Sequence, residues 1–337
     1  MHETEFGGVY IDKTIEEFNA LGFAYGDKLT VAFSNGYTLI DIPYYNGYYS
    51  ENGAPLLVAY PGYPHIEAAI NNGNSLWAVA GLQEGDTATI TRSEAGVFLA
   101  VQNARDIHYT DNRSDYESDE IFANFRSVKV TGIRENSLYR SASPCDNRHN
   151  RAPFVDKLIA EAGVRFVLDL ADNEEKIRGY LADPDFNSPY FRTLLDQGLV
   201  LPIGLNMNYS SQEFKEKVAL GLAALAEHEG PYLVHCTEGK DRTGFVCMLL
   251  EALCGASYDE IANDYMLTYR NYYRITQDNE KEKYDTLVDS LLDPMVRSLT
   301  DGETTDLRSL DLSQCAKDYL LSGGMSEAQM EALITKF

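Results

Sequence analysis

The sequence predicts an α/β fold, with helices flanking a central, mainly parallel sheet and a separate small β-rich domain in front of it. Three observations carry this expectation. From about residue 116 onward, short apolar strands alternate with helices of ordinary length, the pattern of a parallel sheet with crossover helices. The first 115 residues show instead short β-type runs between turn signals. The charge balance also shifts there: residues 1–115 hold 15 acidic residues, only five basic ones (Lys13, Lys28, Arg92, Arg105, Arg113) and no cysteine. A chain of 337 residues that is 44% hydrophobic and 11% aromatic has room and material for two packed cores.

In the first part, Thr14 to Leu21 reads as one short amphipathic helix. The strands read Leu29 to Phe33 before Ser34-Asn35-Gly36, Thr38 to Pro43 before Asn46-Gly47, Leu56 to Tyr60 before Pro61-Gly62, Leu76 to Val79, and Thr87 to Thr91. Tyr109 to Glu120 is polar and acidic without hydrophobic period, which suits a connection, so the domains are placed at 1–115 and 116–337. Beyond it, Arg151 to Ala162 is helical with Gly163 as its stop, and Val164 to Leu170 is a nearly all-apolar strand. Leu199 to Ile203 is a weaker strand, and Ser210 to Glu229 a long amphipathic helix. Gly230-Pro231 releases the chain into a strand from Tyr232 to His235, followed by an apolar helix from Arg242 to Leu253 that Gly255 ends. Tyr258 to Phe337 reads as mostly helical, and no internal repeat of solenoid period is present.

Composition removes several functions. A net charge of -24, with no basic cluster to reverse it locally, repels phosphate backbones, so no nucleic-acid partner is expected. No apolar run reaches the roughly 20 residues needed to cross a bilayer, and the start of the chain is polar and acidic. No integral membrane segment is expected, while a cytoplasmic protein and an exported one freed of its leader would read alike. The five cysteines (Cys145, Cys236, Cys247, Cys254, Cys315) are odd in number and irregularly spaced, unlike a disulfide framework. Without a Cys-x-x-Cys or a His-x-x-x-His pair, neither a metal nor another cofactor is expected. Cys247 and Cys254 share an apolar helix and read as core, and Cys145 and Cys315 as incidental.

The segment Pro231-Tyr-Leu-Val-His-Cys236-Thr-Glu-Gly-Lys-Asp-Arg242-Thr-Gly departs from what folding alone needs. A cysteine ends a buried strand, a loop with Gly239 follows, and an arginine six positions on opens a helix. Backbone N–H groups of residues 237 to 242, wrapped around the turn at the positive end of the helix dipole, suit three phosphoryl oxygens. That field also favours a thiolate, the nucleophilic form of Cys236. Arg242 offers a bidentate fork to two equatorial oxygens, and Thr243 a hydroxyl to the sulfur. Thr237, Glu238, Gly239, Lys240, Asp241 and Arg242 are the expected phosphate-binding residues.

His235-Cys236-x5-Arg242-Thr243 resembles the signature loop of the cysteine-based protein tyrosine phosphatase superfamily. The fuller His-Cys-x-x-Gly-Lys-Asp-Arg-Thr-Gly is similar to an atypical bacterial branch of tyrosine phosphatases, some with further activity on phosphoserine, phosphothreonine or phosphoinositides. Ala123-Asn-Phe-Arg126, Leu138-Tyr-Arg-Ser-Ala142, Gly163 to Leu170 and the end from Tyr319 to Leu333 resemble further blocks of that branch. The likeness covers residues 120 to 337 and leaves the first 115 outside it. It implies metal-free hydrolysis of phosphomonoesters through a phosphocysteine intermediate, with phosphorylated protein or peptide as partner.

Ester cleavage needs a proton for the leaving oxygen. The segment Gly204 to Ser211, where many phosphatases of the superfamily carry an acidic residue, has neither Asp nor Glu. Two substitutes remain. Asp241, next to Arg242, is favoured because it cannot lie far from a bound phosphate; Asp169 ends a strand whose C-terminal edge faces the same crevice, with a loop-ordering hydrogen bond as its plainer role. His235 is expected to orient the loop, Arg140 to support the site, and Arg126 more weakly so. Lys240 reads as steering an anion or as a solvated surface lysine. Glu238 and the acidic surplus disfavour a highly phosphorylated inositol ring, so phosphotyrosine is the favoured substrate, with Tyr265 to Tyr273 available to line or pack the site. A dual-specificity or phosphoinositide phosphatase is the alternative, and an inactive phosphate-binding scaffold a further one.

Overall fold

A computed structural model describes residues 1–4, 6–300 and 306–337, and the chain divides into two units, Met1–His108 with Gln277–Leu291, and Tyr109–Thr276 with Leu292–Phe337.

The first unit runs β1 (Val9–Ile11), α1 (Ile15–Ala20), β2 (Lys28–Phe33), β3 (Thr38–Tyr45), β4 (Pro55–Val58), β5 (Ile66–Ile70), α2 (Leu76–Val79), β6 (Ala88–Glu94) and α3 (Leu99–Arg105). Its six strands form one sheet in the order β1-β5-β4-β3-β2-β6. Only β3 and β4 pair in parallel; the remaining pairs are antiparallel. Thr14 and Glu17 cap α1 reciprocally, each side chain meeting the other's backbone N–H. Leu76 to Val79, expected as a strand, is a helical turn, because the Ser75 hydroxyl accepts from the Ala78 N–H and starts a helix instead. The sequence reading passed over β5, where Glu67 and two alanines blur the apolar signal. Leu29, Val31, Ile42, Leu57, Ile66 and Ala68 centre the main core of this unit.

The second unit continues with α4 (Asp119–Phe122), β7 (Arg126–Ser127), β8 (Leu138–Ser141), α5 (Ala152–Glu161), β9 (Phe166–Asp169), α6 (Glu174–Leu181), α7 (Pro189–Asp196) and β10 (Val200–Pro202). Then come α8 (Gln212–Glu227), β11 (Tyr232–His235), α9 (Asp241–Leu253) and α10 (Tyr258–Tyr273). Helix α11 (Lys281–Leu287) packs on α3 in the first unit, and α12 (Asp293–Arg297), α13 (Leu312–Ser322) and α14 (Glu327–Ile334) close the chain. The expected helical end thus holds for its described part, residues 301–305 lying outside it.

Five strands order as β10-β9-β11-β8-β7. β8, β11, β9 and β10 are parallel, and β7 joins β8 antiparallel, so the sheet is mixed where a mainly parallel one was expected. The exception has a local cause. β7 and β8 are separated by a short connection, which can join antiparallel strands but cannot supply the crossover that parallel ones need. Helices cover both faces, as strands buried on two sides require. Val167 and Leu233 pack with Val155, Ile159, Phe191 and Leu194 of α5 and α7, while Leu168 meets α8 at Gly221. β11 lies centrally, with His235 level with both Ser141 and Asp169. The three strands end together, and there Cys236 begins the turn into α9, at the carboxyl edge where open α/β sheets hold ligands. No helix among the described residues is long and apolar enough to cross a membrane.

Candidate active site

The turn from Cys236 to Arg242 is shaped from outside. The Glu238 carbonyl accepts from the Tyr272 hydroxyl at 2.7 Å and from Asn124 Nδ2 at 3.3 Å. The Gly239 carbonyl accepts from Asn124 Nδ2 at 3.1 Å and from the Arg140 guanidinium at 3.2 Å. The Thr237 carbonyl accepts from the Ser143 N–H at 3.1 Å. With three successive carbonyls drawn outward, the intervening amides are left to face the hollow of the turn. Gly239 has φ +68°, and a Cβ there would lie 2.3 Å from the Ser141 carbonyl oxygen, so the turn passes β8 too closely for any other residue.

Behind Arg140 lies a buried charge cluster. Arg140 Nη1 meets Asp264 Oδ2 at 2.6 Å and Arg126 Nε meets Asp264 Oδ1 at 3.1 Å. Arg126 also donates to Asn124 Oδ1 at 2.8 Å, which orients the amide that holds the turn. Burial by itself would raise the Asp264 carboxyl, but the two guanidiniums outweigh it and hold it well below the usual range. Glu251, buried beside them, is pushed well above its ordinary value by burial and by the Asp264 carboxylate. Two guanidiniums thus share the one Asp264 carboxylate behind the turn.

On the inner side, Cys236 is 3% exposed. Arg242 spans the turn, donating to Thr237 Oγ1 and to the Leu205 carbonyl, each at 3.2 Å. Leu205 belongs to the 204–211 segment that lacks an acidic residue; Tyr209 of that segment stacks on Phe245 of α9 at 4.6 Å. Thr243 is fully buried and its hydroxyl has no hydrogen-bond partner among the described residues, so the expected bond to the sulfur is not made. Lys240 ion-pairs with Glu238 at 3.1 Å and with Asp241 at 3.7 Å, and is thus neither a free anion site nor a solvated surface residue. Burial opposes its charge, but Asp241, Tyr273 and Glu238 outweigh that and hold Lys240 well above its usual value.

The two aspartates sit differently. Asp241 opens α9 with a side chain 33% exposed. Asp169 is wholly buried under the turn, its Oδ1 accepting from the Ala171 and Asp172 amides at 2.9 and 3.1 Å. Burial raises Asp169 to about 6; burial and the neighbouring Asp169 do the same for Asp172. His235 Nε2 lies 3.9 Å from Asp169 Oδ2 and its Nδ1 3.4 Å from the Cys236 carbonyl. Burial lowers His235 to about 4, so the ring is neutral at pH 7. Cys145, read as incidental, is buried with Sγ and one oxygen each of Asp169 and Asp172 within 4.8 Å of one another. That is three donors where a structural zinc takes four, and Asp169 already accepts two amides.

The expected residues therefore gather at one edge of the sheet, with the Thr243 bond as the exception. The sequence reading missed Asp264, and it reached Asn124 only as part of a resembling block and Thr268 and Tyr272 only within the segment from Tyr265 to Tyr273. A signal existed in α10, where Asp264 and Thr268, four positions apart, interrupt the otherwise apolar and aromatic buried face of the helix. The family model described as tyrosine phosphatase family matches residues 98–337. The chain belongs to the tyrosine phosphatase family. No curated protein matches it. Membership supports phosphatase chemistry in general and a phosphorylated substrate. In this member of the tyrosine phosphatase family the tyrosines of residues 265–273 mainly pack: Tyr265, Tyr269 and Tyr272 are each at most 5% exposed, and Tyr272 stacks on Tyr109 at 4.9 Å.

Proposed function

We propose that the chain hydrolyses phosphotyrosine in proteins or peptides through a phosphocysteine intermediate on Cys236. The observation that carries this reading is the turn after β11, whose carbonyls are bonded outward and which Arg242 spans to Thr237, an arrangement that suits its amides and Cys236 to a phosphate within. The thiolate of Cys236 attacks phosphorus, the S–P bond forms, and the bond to the tyrosyl oxygen breaks as Asp241 protonates it. Arg242 and the amides of the turn hold the equatorial oxygens as charge develops. A water then attacks phosphorus and gives its proton to Asp241; the S–P bond breaks, releasing phosphate and restoring the thiolate.

Exposure favours Asp241 as the acid, since Asp169 is closed off beneath the turn and engaged by two amides. Asp169 and His235 act as positioning residues. Lys240 supports a single phosphate over a polyphosphorylated ring, because its charge is already met by Glu238 and Asp241. Residues 1–115 serve as an accessory domain.

The test is metal-free phosphate release from phosphotyrosine peptides, phosphoserine peptides and phosphoinositides, comparing wild type with Cys236→Ser. The expected result is release from phosphotyrosine peptides above all, lowered in the variant by on the order of 10⁴-fold or more. Preference for a phosphoinositide would replace the substrate assignment and keep the chemistry. Phosphopeptide binding without release in the wild type would sink the enzyme reading in favour of a scaffold.

A further inference from the structure

The first unit has a second, smaller apolar cluster on the sheet face opposite its main core, built from Tyr45, Leu56, Val58 and Ala69. Glu67 of β5 lies on that face, two residues before Ala69. It is directly opposite Tyr10 of β1 and Val58 of β4, so these side chains are neighbours. Glu67 is 3% exposed. Among the described residues its carboxylate accepts from the Tyr48 hydroxyl at 2.9 Å, and no lysine, arginine or histidine forms an ion pair with it. A carboxylate taken out of water without a cation is costly, which makes the missing positive charge informative.

The approach to this carboxylate is aromatic. After β4 the chain turns through Tyr60-Pro61-Gly62-Tyr63, closed by the Tyr63 N–H donating to the Tyr60 carbonyl at 3.0 Å. Gly62 has φ +91°, as the third position of a Pro-Gly turn requires. The turn sets the Tyr60 and Tyr63 rings 5.1 Å apart, and Tyr60 lies 6.3 Å from Tyr48. Tyr60 and Tyr63 remain 44% and 41% exposed. Four tyrosines thus border one buried carboxyl, which burial raises above its ordinary value and which a bound cation would bring back down, and two of them are open to solvent.

We propose that this face binds a small quaternary ammonium ion of the choline type, its methyl groups against the tyrosine rings and its charge toward Glu67. Ring faces attract cations, and one without N–H groups loses little hydration on leaving water. It also makes no demand on a carboxylate that already accepts from Tyr48. The proposal is independent of the phosphatase reading, since none of these residues belongs to the Cys236 turn.

The full chain would be titrated calorimetrically with choline, with 3,3-dimethylbutan-1-ol, which has the same shape and no charge, and with ethanolamine, which has charge and no methyl groups. Choline is expected to bind about tenfold or more tighter than either. Tyr63→Ala removes an exposed ring and should weaken choline by about fivefold or more while phosphate release and the circular dichroism spectrum stay unchanged. Glu67→Gln should weaken it at least as much. Vesicles of phosphatidylcholine separate the sources of the ion: sedimentation with vesicles, reversed by free choline, indicates a lipid headgroup, and choline binding without sedimentation a free metabolite. Absence of choline binding, equal binding of the uncharged isostere, or indifference to Tyr63→Ala would overturn the proposal.

Discussion

The two sides of the Cys236–Arg242 turn are built on opposite rules. Outside, the carbonyls of the turn are met: Asn124, Arg140 and Tyr272 take them, and Asp264 takes the guanidiniums of Arg126 and Arg140, leaving Arg140 Nε and one Glu251 oxygen over. Inside, polar groups are left over, among them the Thr243 hydroxyl, His235 Nε2 and one oxygen each of Asp169 and Asp172. Buried polar atoms are ordinarily paired, and unpaired ones concentrate where function needs them. Holding the carbonyls outward also keeps the turn from satisfying its own amides.

Substitutions can break this contrast, and the outer side should give the largest effect. Asp264→Asn leaves two buried guanidiniums without a carboxylate and is expected to cost about 3–5 kcal/mol, read from urea unfolding, with loss of phosphate release in the fraction that folds. Next is the inner side: Asp241→Asn should slow release by about 10²-fold, most for esters with poor leaving groups, and remove the limb of the pH profile that belongs to the acid. If only Asp169→Asn does this, the acid is beneath the turn. Third, Asp169 and Asp172 have folded values raised to about 6. Such carboxyls contribute stability that is fully present below about pH 4 and is lost as pH rises through about 6. His235, lowered to about 4, runs the other way and loses stability as pH falls from about 6.5. Asp172→Asn should therefore be more stable than wild type near neutral pH, by on the order of 2 kcal/mol, with the gap closing on acidification to about pH 4. The smallest effect is expected from Tyr272→Phe, one hydrogen bond to the turn, about 1 kcal/mol in unfolding.

How much of this was legible in the sequence follows from how local each feature is. β11, α9 and the residues between them were readable because Cys236, Gly239 and Arg242 carry their chemistry within a few positions. α1 was readable because Thr14 and Glu17 cap within one turn. The Leu76–Val79 helix was misread because four apolar residues have no period, and Ser75 decided between strand and helix. The outer brace was the least legible. Asp264 and Asn124 act through partners more than a hundred residues away, and nothing in their neighbours states which backbone they will meet.

That distance has a kinetic side. The bonds fixing the Gly239 carbonyl join residues 115 and 99 positions apart in the chain, and the ion pair behind them spans 138. Contacts of such separation close late, since the loop entropy must be met before they are rewarded. β11 and α9 can therefore form early as a strand and a helix while the turn between them still lacks its shape. During refolding the second unit would regain its helical signal first and the shape of the Cys236–Arg242 turn last.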